Sequence, residues 1–146
     1  MRLWIDTEFN EFRGDLISLA LVDEDGREFY EVVGCAFPGP WVAEHVMPIL
    51  GKLPNHGDYA ISRAMLSRSL HRFLRDYQSA HVVADWPEDI AHFCGALIIG
   101  PGIRIDTPPL TLEVRRDLDA VSAIPHNALE DAKAMRLVHL AIEAAA

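Results

Sequence analysis

Three apolar runs rich in strand-forming residues fill positions 2–33, and helical periodicity governs most of the remaining chain. Strands first, then helices alternating with a strand, constrain the chain to an α/β architecture: a mixed central sheet flanked by helices. Arg2-Leu3-Trp4-Ile5-Asp6 reads as a short strand, Leu16 to Val22 as a second and Arg27 to Val33 as a third. The turn Asp23-Glu24-Asp25-Gly26 joins the last two, so the three strands form a β-meander. Trp41, Val42, His45 and Val46 recur at helical spacing until Pro48 interferes. A longer helix is predicted from Tyr59 to about Tyr77, with Ile61, Met65, Leu66, Leu70, Phe73 and Leu74 as its apolar stripe. Ala80 to Ala84 reads as a buried strand, Asp85 to Leu97 as a helix, Ile103 to Ile105 as a short strand and Asn127 to Ala145 as the closing helix.

With 146 residues, half of them hydrophobic, the chain suffices for a single domain, 1–146, that needs no disulfides to fold. Cys35 and Cys94 have no metal-ligand spacing and are expected to be buried thiols in a reducing compartment. The opening residues reach Asp6 too soon for a signal peptide, and no apolar run approaches membrane-spanning length. A soluble, cytoplasmic protein without a membrane partner is the expectation. A net charge of −9 argues against a passive nucleic-acid coat, which gains affinity from Lys and Arg. It leaves room for an enzyme whose carboxylates bind metal. The absence of a Walker-type glycine loop leaves nucleoside triphosphate hydrolysis by that route unsupported.

Asp6 and Glu8 are the most informative residues, because side chains two apart on a strand share a face. Two carboxylates so placed repel one another unless a cation lies between them, and a hard ion such as Mg²⁺ or Mn²⁺ suits oxygen ligands. In His126-Asn127-Ala128-Leu129-Glu130-Asp131, Asn127 and Glu130 have capping-box spacing. That puts Asp131 one turn inside a helix and His126 on the loop before it, where an imidazole can take a proton near neutral pH. Asp85 and Glu88 repeat the device, with Pro87 in the first turn. By that phasing Asp85 is the cap and Asp89 the functional carboxylate, although Asp85 directly follows a strand and the two roles could be exchanged.

Trp4-Ile5-Asp6-Thr7-Glu8-Phe9, Glu88-Asp89-Ile90-Ala91-His92-Phe93 and His126 to Asp131 together resemble the three motifs of the DEDDh 3′→5′ exonucleases. Asp-Thr-Glu-Phe followed by Leu-Ile-Ser-Leu is most similar to the opening of small bacterial exoribonucleases related to ribonuclease T. Glu88 stands where relatives often carry an aromatic residue. The resemblance implies a ribonuclease H-like fold, with Asp6, Glu8, Asp89 and Asp131 holding two Mg²⁺ or Mn²⁺ ions and His126 as general base. It also implies single-stranded nucleic acid as substrate, RNA by family preference, with cleavage from the 3′ end, and a homodimer. Trp41, Val42 and Val46 are candidates for an apolar subunit contact. For the substrate, Arg68 and Arg72 fall on one face of an acid-free helical stretch, and Phe9 and Asn10 could stack on and hydrogen-bond the terminal nucleotide. A catalytically idle module of the same fold is the competing reading.

Overall fold

In a computed structural model that describes residues 1–52 and 60–146, the expected meander is formed by β1 (Arg2–Phe9), β2 (Leu16–Asp23) and β3 (Glu28–Val32). Then come α1 (Pro40–His45), a 3₁₀ turn at Met47–Ile49, α2 (Arg63–Leu74), β4 (Ala80–Ala84), α3 (Pro87–Ala96), β5 (Ile98–Gly100), β6 (Ile103–Arg104), β7 (Leu110–Val114) and α4 (Ala128–Ala145). Five strands make one mixed sheet in the order β3-β2-β1-β4-β7, parallel among β1, β4 and β7 and antiparallel on the meander side. This is the ribonuclease H-like α/β arrangement. The short β5 and β6 pair with each other.

Every residue of β2 is buried, so the alternation of a half-exposed strand is missing there and both faces of the sheet are covered. On one face Leu3, Ile5, Leu19, Leu21, Phe29 and Val82 pack against Leu66, Leu70, Phe73 and Leu74 of α2 and Phe93 of α3. On the other, Ala20, Val22 and Tyr30 receive Ala128, Leu129 and Ala132 of α4, while Trp4 and Val83 receive Met135. Trp4 is fully buried and its indole N–H donates to His139 Nδ1 at 3.0 Å. Truncating such a side chain typically costs about 3–5 kcal/mol.

Several expectations are corrected. Ser62 caps α2 by accepting from the Met65 N–H, so the helix starts at Arg63, and the predicted start at Tyr59 lies outside the described residues. Met65 is exposed rather than part of the buried stripe. Val42 and Val46 are buried against Ile17 and Leu50, which withdraws them from any subunit contact, whereas Trp41 is half exposed. Both cysteines are free but only partly buried. β7 has no counterpart among the expected elements: as an edge strand it exposes Leu112 and Val114, and its partner β4 is remote in sequence. Among the described residues no helix is long and apolar enough to cross a membrane.

Because β1, β4 and β7 run parallel, their carboxyl ends lie along one edge of the sheet, where open α/β sheets form ligand crevices. The β1–β4 ladder stops at Trp4 and Val83, yet β1 continues to Phe9. Asp6 and Glu8 therefore lie beyond the last β4 pairing, beside an opening at the sheet edge.

Candidate active site

Asp6 and Glu8 sit opposite Ala20 and Ser18 of β2, on the face that α4 covers, as their spacing predicts. Asn127 is fully buried and caps α4, its Oδ1 accepting from the N–H groups of Leu129 and Glu130. Only half of the expected box forms, since the Glu130 carboxylate takes the Lys133 ammonium instead. The cap sets the helix so that Asp131, one turn in, reaches Asp6 and Glu8. Asp131 Oδ2 also accepts the His126 backbone N–H at 3.0 Å.

Asp89 comes from the first turn of α3, which packs on the opposite face. It is buried, and its Oδ1 accepts from both the N–H and the hydroxyl of Thr7, at 3.1 and 2.6 Å. Asp85 is not the cap of this helix: Trp86 occupies that position and no side chain caps it. Pro87 at the start already removes one amide that would need a partner, and Glu88 accepts from the Trp86 indole and the Arg13 backbone instead of closing a box. The Asp85 side chain is left to turn into the crevice.

Two triads of carboxylates result, Asp6-Asp85-Asp89 and Asp6-Glu8-Asp131, with the ligand oxygens of each within 4.8 Å of one another. Asp6 belongs to both. Burial, followed by repulsion from Asp89, Glu8, Asp131 and Asp85, pushes the Asp6 carboxyl well above its usual range. The same causes raise Glu8 to about 8, with Asp131 and Asp89 as its charged neighbours. Asp89 is raised by burial to about 7, the Thr7 hydroxyl working against the shift. Burial also raises Asp85 and Asp131. Among the described residues none of these five carboxylates has a basic side chain within 4.0 Å. A donor set of clustered oxygens, eased only at longer range by Arg116 on Asp85 and His126 on Asp131, fits hard divalent cations.

These shifts give the metal-free protein a characteristic pH response. Raised carboxyl pKa values mean that the folded state holds protons the unfolded state has released, so stability falls as pH rises toward and through the folded values. His92 and His139, lowered mainly by burial, act the other way, but below the ordinary imidazole value of about 6.5. In EDTA the melting temperature is therefore expected to decline between about pH 7 and pH 8.5. A thermal melt series checks this, and a flat or rising trend would contradict the electrostatic account.

His126 adopts a left-handed backbone conformation, φ 65°, just outside α4. Its ring meets the Trp41 ring edge-on at 4.9 Å, and Trp41 in turn stacks on His45 at 4.6 Å. His126 lines an open cavity of about 330 Å³ together with Asp6, Asp85 and Asp131. Across Trp41 lies a second, more apolar cavity of about 490 Å³, walled by Glu8, Phe9, Glu11, Phe12, Trp41 and Val42. Phe9 lines this cavity together with Glu8, its ring 5.0 Å from that of His92. Asn10 is already engaged: its side-chain amide bonds the Phe37 carbonyl and the Gly39 N–H and braces the loop before α1. Arg68 and Arg72 are exposed on α2 and line neither cavity; Arg72 donates to Ser69. Sequence reasoning does not assign Thr7, Phe12 or Trp41 to the site. It leaves Asp85 as the alternative ligand, and the missing cap accounts for the place of that residue in the crevice.

No family model matches the chain. It is 41% identical over 124 residues to proteins named 3′-5′ exoribonuclease from two strains of Mycobacterium tuberculosis, an alignment covering 81% of this chain and 71% of each relative. Identity at that level across most of both chains, joined to a ribonuclease H-like sheet whose edge gathers five carboxylates, means that this chain belongs to the 3′-5′ exoribonuclease family.

Proposed function

We propose that residues 1–146 act as one metal-dependent exoribonuclease domain of the DEDDh type, removing 5′-mononucleotides from the 3′ end of single-stranded RNA. The observation that carries this reading is the membership of Asp6 in both carboxylate triads, which offers two adjacent oxygen-rich sites sharing one ligand. Asp6, Glu8 and Asp131 would hold one Mg²⁺ or Mn²⁺ ion, and Asp6, Asp85 and Asp89 the other. Such a pair supplies Lewis-acid stabilisation of charge on both the attacking and the leaving oxygen of a phosphodiester.

The chain's own groups account for the rest. His126 accepts the proton of the attacking water, its ring steadied by Trp41 at the mouth of the carboxylate cavity. Thr7 orients Asp89 by occupying one of its oxygens and leaving the other to a ligand. Phe9, with Phe12 and Trp41, offers aromatic walls to the base of the terminal nucleotide. Asn10 serves that pocket indirectly, by fixing the loop that leads into α1. The 3′-5′ exoribonuclease relatives support both the substrate class and the direction of cleavage. A homodimer would have to use surface other than Val42 and Val46.

The test is a time course on 5′-labelled RNA and DNA oligomers with Mg²⁺, Mn²⁺ or EDTA. A ladder shortening from the 3′ end, release of 5′-mononucleotides, resistance of a 3′-phosphorylated end and loss of activity in EDTA are expected. Early internal cuts, or activity that survives EDTA, would exclude the proposal.

A further inference from the structure

A chain with 22 acidic and 13 basic residues must still bring a polyanion to its most acidic crevice. Arg68 and Arg72 line neither cavity there. Arg116 is better placed. It lies just past the end of β7, at the same carboxyl edge of the sheet that carries Asp6 on β1 and Asp85 after β4. Its guanidinium carbon sits 4.4 Å from the centre of the Trp86 ring, and Nη1 donates to the Asp85 carbonyl at 2.8 Å. Those two contacts fix the planar group while consuming only one of its five N–H donors. Among the described residues it has no carboxylate partner within 4.0 Å, in contrast to its neighbour Arg115, which is tied to Asp117 and Glu113.

The aromatic contacts continue from Arg116 toward the second cavity. Trp86 contacts Phe12 at 5.9 Å, and Phe12, itself 76% exposed, forms one wall of the cavity proposed for the terminal base. From β1 to β7 is two strand spacings, roughly 10 Å. A strand whose last base sits against Phe9 and Phe12 can therefore pass the carboxylates and meet Arg116 with phosphates on its 5′ side.

We infer that Arg116, held flat on Trp86, binds a backbone phosphate of the RNA upstream of the scissile linkage. A guanidinium fork is matched to phosphate oxygens, and one already immobilised by stacking loses less entropy in binding them. This rests on the reading of the carboxylates as the hydrolytic centre, because it takes the strand's direction from that reading.

The experiment uses 5′-fluorescein RNA decamers, either fully charged or carrying one uncharged methylphosphonate at a chosen linkage upstream of the scissile one. Both steady-state hydrolysis and the Kd by anisotropy in EDTA are measured for wild type, Arg116→Ala and Arg116→Lys. Arg116→Ala should raise KM and Kd about tenfold, as the loss of one charge-assisted hydrogen-bonded contact does, with kcat nearly unchanged. It should also reduce the slope of log Kd against log salt by about 0.7. Arg116→Lys should recover part of the affinity, since it keeps the charge but loses the fork. At one linkage the methylphosphonate should weaken wild type by a similar factor and leave Arg116→Ala unaffected. A fall in kcat at constant KM and Kd would assign Arg116 to positioning Asp85 and overturn the inference, as would methylphosphonate penalties that persist in full in the variant at every linkage. A wild type that binds RNA without hydrolysing it, and binds less well after Arg116→Ala, would end the exonuclease reading while leaving phosphate binding in place; equal Kd values would end the latter.

Discussion

Asp6→Asn is expected to melt at a higher temperature than wild type in EDTA, to lose most of its response to Mg²⁺ or Mn²⁺, and to lose hydrolysis. The Asp6 carboxylate is opposed by its surroundings, by burial first and then by four acidic neighbours. An amide of the same shape removes that repulsion, so the metal-free fold gains stability. In wild type, a divalent ion that binds only the folded state adds about 2.7 kcal/mol at 100 times its Kd. For a chain of this size that corresponds to a rise in melting temperature of roughly 5–10 °C. Matched NaCl should do much less, because screening softens repulsion without supplying coordination. Since Asp6 is common to both triads, its loss disturbs two sites at once. Turnover should therefore fall by well over the roughly 100-fold that altering a ligand's supporting partner can cost. Equal metal-induced shifts in wild type and Asp6→Asn would mean that the metal binds elsewhere.

His126 carries the second large effect. Replacing a general base typically costs about 10²–10⁴-fold in rate, and the loss should appear in kcat with metal-induced stabilisation retained. The backbone complicates the usual alanine variant. At φ 65° the residue lies where Asn is tolerated better than Ala, and its N–H holds Asp131. His126→Asn keeps that conformation and that hydrogen bond while removing the imidazole. Both variants should be slow, and His126→Asn should melt closer to wild type than His126→Ala. Turnover unchanged in His126→Asn would remove the imidazole from the mechanism.

The meander can be read from the sequence because strand patterning and turn chemistry are local. Asp23 shows this: its carboxylate accepts the Asp25 and Arg27 N–H groups, and Gly26 takes the positive φ that closes the turn. The common face of Asp6 and Glu8 follows from strand parity. That parity ends at Glu8, where the register with β2 shifts, so the direction of residues beyond it has no local signal. Asn10 lies past that break and proves to be a brace. The capping-box motif places Asn127 correctly and Asp85 wrongly. In α4 the cap is sealed inside the protein, whereas Pro87 and the Trp86 contacts let α3 begin without one. The aromatic cavity is invisible in the sequence because its walls come from β1, the loop after it and α1, brought together by tertiary packing alone.

The Asn127 cap also has a consequence in time. Its side-chain amide donates to the Ile49 carbonyl, 78 positions earlier, so the end of α4 that bears Asp131 is anchored to the turn after α1. On a ribosome, β1 and its two carboxylates emerge well before Asp131, which follows Glu8 by 123 positions. Until α4 docks, the Asp6-Glu8 face of the sheet lacks its third carboxylate, and Ala20, Val22 and Trp4 lack their cover. Until that docking, a nascent chain attached to a ribosome built largely of RNA carries the carboxylates of the candidate site still apart.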